Sequence, residues 1–372
     1  MLRRAPSRIA GVDVARGVAL LGMAAVHVLP VEDPDGSASW TDEVFAGRSA
    51  ALFAVLAGVG LALAYRRPGT RDALALVVRS VLIGLVGLWL GDAGSGVAVI
   101  LAYYAVLFVL ALPWLRAGPR LLLASAAVVA VVVPFVSLAV RDELPERDTA
   151  SPVLGDLAEP GQLLSELLVT GYYPATSWIV YLLVGMAVGR LALQRTRTAL
   201  LLAGAGAALA LAAHGLSALL LGPLGGDDRI AAQLRLPPGA RVEEVVGEGR
   251  FGSVPTTTPW WLATDAPHST TPLDLTATTG TALLVLGLAL LVAGAAPLLL
   301  HPLAAAGSMP LTLYTAHVWV LGATDADDPT RYYLLQVVGG LLLAVLWRRA
   351  VGKGPLELVV ALAARPVRGT RT

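Results

Sequence analysis

The sequence predicts an all-α membrane protein, a polytopic bundle of about ten spanning helices with both termini on the cytoplasmic side. Three observations carry that prediction. Hydrophobic residues make up 56% of the chain and charged residues 14%, where soluble proteins carry about 25% charged residues. Apolar runs of roughly 17–25 residues, the length that crosses a bilayer as a helix, recur along the whole chain. The arginines gather in alternate connections, as the positive-inside bias requires.

The first segment, 9–30, follows Arg3, Arg4 and Arg8. No small-x-small pattern precedes the acidic stretch after it, so it reads as a retained helix and not as a removed leader. The second and third, 45–65 and 73–91, are joined by Arg66, Arg67 and Arg71, and the third is the weakest because Arg79 falls inside it. Arg116 and Arg120 join the fourth and fifth, 95–115 and 120–140. Arg190, Arg195 and Arg197 join the sixth and seventh, 175–193 and 198–222. The eighth and ninth, 274–295 and 301–322, meet at a turn without Lys or Arg. The tenth, 332–349, runs into Arg348, Arg349, Lys353, Arg365, Arg368 and Arg371. The opposite connections are acidic, with Glu32, Asp33, Asp35, Asp42 and Glu43 after the first helix and Asp325, Asp327 and Asp328 after the ninth. The stretch 355–364 is too short to span and reads as interfacial.

The whole chain, 1–372, reads as a single membrane domain with two long outer loops, 141–174 and 223–273. Loops of that length are usually functional or disordered. Trp260 and Trp261 in the second loop are either interfacial anchors or a stacking surface for a sugar or other substrate. Glycine and alanine crowd the helices, which lets backbones approach closely in lipid. No internal repeat is evident, which disfavours the repeat-built transporter folds.

Composition also excludes several chemistries. There is no cysteine, so no disulfide and no thiol nucleophile. A net charge of +1 offers no field to recruit nucleic acid. No phosphate loop, dinucleotide fingerprint or zinc motif is present, and the five histidines are too dispersed to suggest a metal site.

Ionisable residues inside spanning segments are costly and mark function by default. The first helix holds Asp13, Arg16 and His27. Asp13 and Arg16 are three apart and can pair on one face. Arg16 and His27 are eleven apart, about three turns, which returns them to nearly the same face roughly 16 Å apart. The stripe therefore carries an ion pair near its inner end and an imidazole near its outer end. The plainer readings are a helix cap at the headgroups for Asp13 and Arg16 and a water-interface position for His27. His317, three residues after Tyr314 in the ninth segment, can face the bundle interior. His268 precedes the eighth segment on the outer side, close to His27. His214 reads as a hydrogen-bonded packing residue. Arg48, near the outer start of the second segment, either meets an anionic substrate or snorkels.

The run Asp13-x-x-Arg16-Gly17, then Met23, then His27 resembles the opening of the heparan-α-glucosaminide N-acetyltransferase-like membrane acyltransferases and their bacterial relatives. Gly47-Arg48 through Gly58 resembles the second helix of the bacterial group, and Ser308–Tyr314 and Gly354–Glu357 match it as well. In the heparan-modifying enzymes a catalytic-type histidine precedes a tryptophan in the loop after helix one. Here Trp40 is present but Ser37 stands in the histidine's place, and His27 stands where those enzymes carry an asparagine. The Arg16–His27 spacing is closer to that of the integral-membrane acyltransferases that modify O-antigen sugars.

The resemblance implies acyl transfer across a bacterial plasma membrane. Acyl-CoA, acetyl-CoA in the first instance, is the donor from the cytoplasm, and an envelope glycan or lipid is the acceptor. Asp13, Arg16, Arg66 and Arg67 are the expected donor-binding residues. His27, His268 and His317 are the expected catalytic ones, and Trp40, Arg48 and Tyr314 the expected substrate contacts. His27 acts either as a general base or as the nucleophile that carries the acyl group. The competing expectation is a small-molecule or lipid transporter or flippase whose buried charges line a pathway. A noncatalytic scaffold is the third. The sequence leaves oligomeric state open.

Overall fold

The computed structural model describes residues 8–34, 37–65, 68–145, 151–234, 242–324 and 327–365. Among these, every regular element is helical apart from one isolated bridge between Glu32 and Ala38. The α-helices are α1 (Ala10–Val28), α2 (Trp40–Phe45), α3 (Arg48–Ala64), α4 (Thr70–Gly91), α5 (Leu101–Leu110), α6 (Pro119–Val140), α7 (Pro160–Ser165) and α8 (Ala175–Val188). They continue with α9 (Thr196–Leu221), α10 (Gly226–Ala231), α11 (Val242–Gly247), α12 (Pro272–Ala295), α13 (His301–Ala306), α14 (Pro310–Ala323), α15 (Pro329–Ala350) and α16 (Pro355–Ala363).

Seven helical stretches among the described residues are long and apolar enough to cross a membrane: α1, α2 with α3, α4, α6, α9, α12 and α15. An eighth forms if Pro160–Thr170 and α8 count as one span bent by 54°. Three of the ten expected segments are thus not single long helices. Within 95–115 only α5 is α-helical, because Gly94 and Gly96 sit at positive φ (66° and 70°) and Pro113 lies in the 3-10 turn Leu112–Arg116 that ends the element. Within 175–193, α8 has 14 residues; Pro174 disfavours helix in the residue before it, and the chain turns there. The segment 301–322 divides into α13 and α14 at Gly307–Met309, and Pro310 opens α14 where its missing N–H costs nothing.

The centre of the bundle is α1, α3, α8 and α12. α1 packs on α3, α12 and α13, α3 packs on α8, and α12 packs on α9. Small residues make these approaches possible. Gly58 and Gly185 face one another where α3 crosses α8: a Cβ on Gly185 would strike the carbonyl of Val55, and one on Gly58 the carbonyl of Leu182. Gly185→Leu is therefore expected to destabilise the bundle by about 1–3 kcal/mol through overpacking, read as a lowered melting temperature in detergent.

α15 lies at the outside of the bundle, with Leu334, Val338, Leu342 and Leu346 exposed. In a bilayer that face meets lipid. The stretch after it folds back as α16 against α4 and α14. Glu357 of α16 accepts from the backbone N–H groups of Leu311 (2.7 Å) and Thr312 (3.2 Å), and so caps the start of α14.

The two long loops are folded against each other. Thr256 donates to the Asp142 carboxylate at 2.8 Å, and Arg141 donates to the Val254 carbonyl. Ile230, Val246, Val254, Trp261 and Leu262 form a small core of their own. Trp261 is fully buried there beneath the Arg250 guanidinium, and Trp260 lies under Arg229. Trp261 thus neither anchors at a bilayer surface nor faces a substrate.

Candidate active site

α1 carries the first group. Asp13 is buried, and Arg16 Nη1 donates to its Oδ1 at 2.9 Å, one helical turn away. Arg16 Nη2 reaches the Leu56 carbonyl of α3 at 3.4 Å. Arg8 approaches the other Asp13 oxygen at 3.9 Å and donates to the Ser308 carbonyl at 3.3 Å. One carboxylate thus stands between two guanidinium groups, which it holds at the end of α1.

Beside them opens a cavity of about 400 Å³. Arg8, Arg16, Arg79 and Lys353 line it, together with Glu357, and Tyr104 and Tyr314 also line it. The Glu357 carboxylate is occupied by the N-terminus of α14 and the Thr312 hydroxyl. The cavity wall is therefore basic, with arginines suited to bidentate contact with phosphate. Tyr314 is buried, and its hydroxyl accepts from the Ile100 N–H at 3.4 Å. Arg66 and Arg67 lie outside the described residues.

The second group sits at the other end of α1. His27 Nδ1 is 3.1 Å from His317 Nε2, with the rings stacked at 5.3 Å and 16°. His317 Nδ1 is in turn 2.6 Å from Gln336 Oε1 on α15. The protons follow from the end of this chain. An amide oxygen only accepts, so His317 Nδ1 carries hydrogen and its Nε2 accepts. His27 Nδ1 must then donate, which leaves the lone pair of His27 on Nε2. A helix stripe, one histidine and one glutamine thus set the tautomer of a potential base.

His268 occupies the loop before α12. Thr271 caps that helix by accepting from Asp274 N–H (3.0 Å), and Asp274 accepts from Thr270 N–H (2.9 Å). This tight cap holds His268 and Thr270 at positive φ (58° and 53°), uncommon for residues with a side chain. The ring lies among Tyr172 (4.7 Å), Tyr173 (5.6 Å) and Trp178 (6.2 Å, nearly parallel). Its Nδ1 is buried with no hydrogen-bond partner among the described residues.

Burial pushes the His268 imidazole from its ordinary 6.5 down to about 4. Below pH 6.5 the unfolded loop binds a proton that the folded loop refuses until about pH 4, so stability falls on acidification through that window. The expected loss is about 3 kcal/mol by pH 4. His268→Asn, which tolerates positive φ and does not titrate, is expected to remove this part of the acid dependence in thermal unfolding from pH 7 to pH 4.

The remaining expected residues lie elsewhere. Trp40 is 60% exposed at the start of α2 and touches Phe45. Arg48 donates to the Glu43 carbonyl at 2.6 Å. His214 is bonded to the Asp265 carboxylate. The sequence reading missed Arg79, Lys353 and Gln336 as site residues. A charge inside the third segment and the chain's only lysine were available signals, as was a lone amide in an apolar helix.

The sequence profile described as heparan-alpha-glucosaminide N-acetyltransferase, catalytic, matches residues 8–221, more than half of the chain and all of α1 to α9. No curated protein matches the chain. The match includes Asp13, Arg16 and His27, while His268, His317, Gln336 and Lys353 lie beyond it. With its apolar spans and this match, the chain is a multi-pass membrane protein that belongs to the heparan-α-glucosaminide N-acetyltransferase family of membrane acetyltransferases.

Proposed function

We propose that the chain transfers an acyl group, acetyl in the simplest case, from acyl-CoA to a hydroxyl or amine of an envelope sugar or glycolipid. One observation carries this reading: a single helix places Arg16 on the wall of a basic cavity and, three turns on, His27 in contact with His317. The alternating arginine clusters support a cytoplasmic position for the Arg16 end of α1. A plasma membrane location, with the acceptor on the outer side, follows from the same reading.

Arg8, Arg16, Arg79 and Lys353 would hold the donor's phosphates, and the pantetheine arm would run past Tyr314 toward the histidines. His27 Nε2 removes the proton of the acceptor hydroxyl as its oxygen attacks the thioester carbonyl. The C–S bond breaks, the C–O bond forms, and the proton passes from His27 to the departing thiolate. His317 accepts from His27 Nδ1 throughout and spreads the positive charge. The same Nε2 lone pair also serves an acyl-histidine route, which labelled acyl retained on the protein without acceptor would identify.

The test uses the purified chain in proteoliposomes with radiolabelled acetyl-CoA outside and envelope lipid and glycan extracts inside, then the reverse. Label recovered in the extract across the membrane supports the reading. Uptake of a solute or lipid that needs no acyl donor supports transport instead.

Gln336 supplies a sharper check. Gln336→Leu removes the acceptor that fixes the tautomer of both histidines, and kcat is expected to fall about tenfold or more. Gln336→Glu still accepts from His317, although it gives up the amide N–H, and is expected to lose clearly less of kcat than Gln336→Leu. Equal losses in both variants would remove the tautomer-fixing role of the glutamine.

A further inference from the structure

A second cavity, of about 260 Å³, lies between α1, α14 and α15 on the other side of α14 from the basic one. Its walls are apolar, with Leu20, Leu21 and Met23 from the stretch of α1 between Arg16 and His27. Two features tie it to the proposed chemistry. Tyr314 lines both cavities and is the one described residue they share. His317 and Gln336 also line it, and Gln336 Nε2 is buried with no hydrogen-bond partner among the described residues.

We infer that this cavity receives the acyl group of the donor, and that the preferred donor carries an acyl chain longer than acetyl. The inference rests on the acyl-CoA reading above and names its substrate more closely. A thioester that passes Tyr314 from the basic cavity reaches the end where His317 and Gln336 stand. There the free amide N–H of Gln336 is a donor that its carbonyl oxygen can use, which a bare hydrocarbon tail would leave unsatisfied. The chain then runs down the apolar wall beside α1. An apolar cavity of about 150 Å³ holds benzene, so one of about 260 Å³ has room for a chain on the order of eight carbons. An acetyl group leaves most of that space unfilled.

The structure also supplies a ruler. Gly340 of α15 lines the cavity, and a Cβ placed on it meets nothing within 4 Å. Gly340→Leu therefore fills the space without striking a neighbour, and Leu21→Ala enlarges it. The experiment is competition of CoA, acetyl-CoA, butyryl-CoA, hexanoyl-CoA and octanoyl-CoA against radiolabelled acetyl-CoA on the full chain in phosphatidylcholine nanodiscs. Burial of each methylene is worth about fourfold in affinity, so hexanoyl-CoA is expected to bind at least tenfold more tightly than acetyl-CoA. Gly340→Leu is expected to bring hexanoyl-CoA down to the affinity of acetyl-CoA, and Leu21→Ala to shift the preference to octanoyl-CoA. Partition of the longer donors into the lipid would be blind to both substitutions. Affinity independent of chain length, or a length profile that neither substitution moves, overturns the inference and leaves the cavity to a lipid tail. If neither CoA nor any acyl-CoA binds, the donor reading itself fails, a result distinct from a flat length profile.

Discussion

Replacing His27 by alanine is expected to lower acyl transfer by a factor of about 10²–10⁴, the usual contribution of a positioned general base, while acyl-CoA binding stays within a few fold of the unaltered protein. The separation follows from the layout of α1. The basic cavity is lined by Arg8, Arg16, Arg79 and Lys353 and does not include His27. His27 is held from the opposite end by His317 and Gln336. Removing its ring takes away the only lone pair that this chain of hydrogen bonds leaves free, and it touches none of the groups assigned to the donor's phosphates. Equilibrium binding of radiolabelled acetyl-CoA and single-turnover transfer measure the two quantities separately. His317→Ala should fall between the two limits, since it removes the acceptor that orients His27 but leaves the base itself. An unchanged single-turnover rate in His27→Ala, with melting temperature preserved, would remove His27 from the mechanism.

What could be read from the sequence, and what could not, divides along the range of the interactions. Asp13, Arg16 and His27 lie on one helix, so a period of 3.6 residues was enough to align them. The pairing of Asp13 with Arg16 is local and appears as expected. His317 was legible as a candidate because an imidazole in an apolar segment is costly, but its contact with His27 spans 290 positions and no periodicity reaches that far. Arg79 was read only as a weakness of its helix, because a charge in an apolar run looks like a penalty until a cavity beside it is seen. Gln336 gave a weaker signal still: it is neutral, and its role exists only through His317. The helix breaks at Gly94, Gly96 and Gly307 explain why some of the expected spans are not single long helices. Apolar composition continues through them, while the backbone does not. The 223–273 loop was expected to present its tryptophans as interfacial anchors or as a stacking surface for a substrate. Its own small core buries Trp261 instead, a collective effect of residues far apart in the chain.

Asp13→Ala is expected to cost about 3–5 kcal/mol of stability, the usual penalty for leaving a buried charge without its partner. Asp13 is the carboxylate that stands between Arg8 and Arg16. Without it two guanidinium groups face each other at the end of α1, close to the point where Gly307 packs on the Asp13 carbonyl. The double variant Asp13→Ala, Arg16→Leu removes both charges of the closer pair and is expected to recover most of the lost stability, because an apolar replacement of a buried pair is often neutral. Donor affinity should separate from stability in this series. If Arg16 serves only to neutralise Asp13, the double variant regains acyl-CoA binding together with its melting temperature. If Arg16 holds a phosphate of the donor, the double variant melts normally and still binds acyl-CoA at least tenfold more weakly, a loss of about 1.4 kcal/mol that lies within the range of a hydrogen bond to a charged group. The structure favours the second outcome. Arg16 lines the basic cavity while it remains paired with Asp13, so the carboxylate orients the guanidinium and leaves part of it facing the space where the donor would lie.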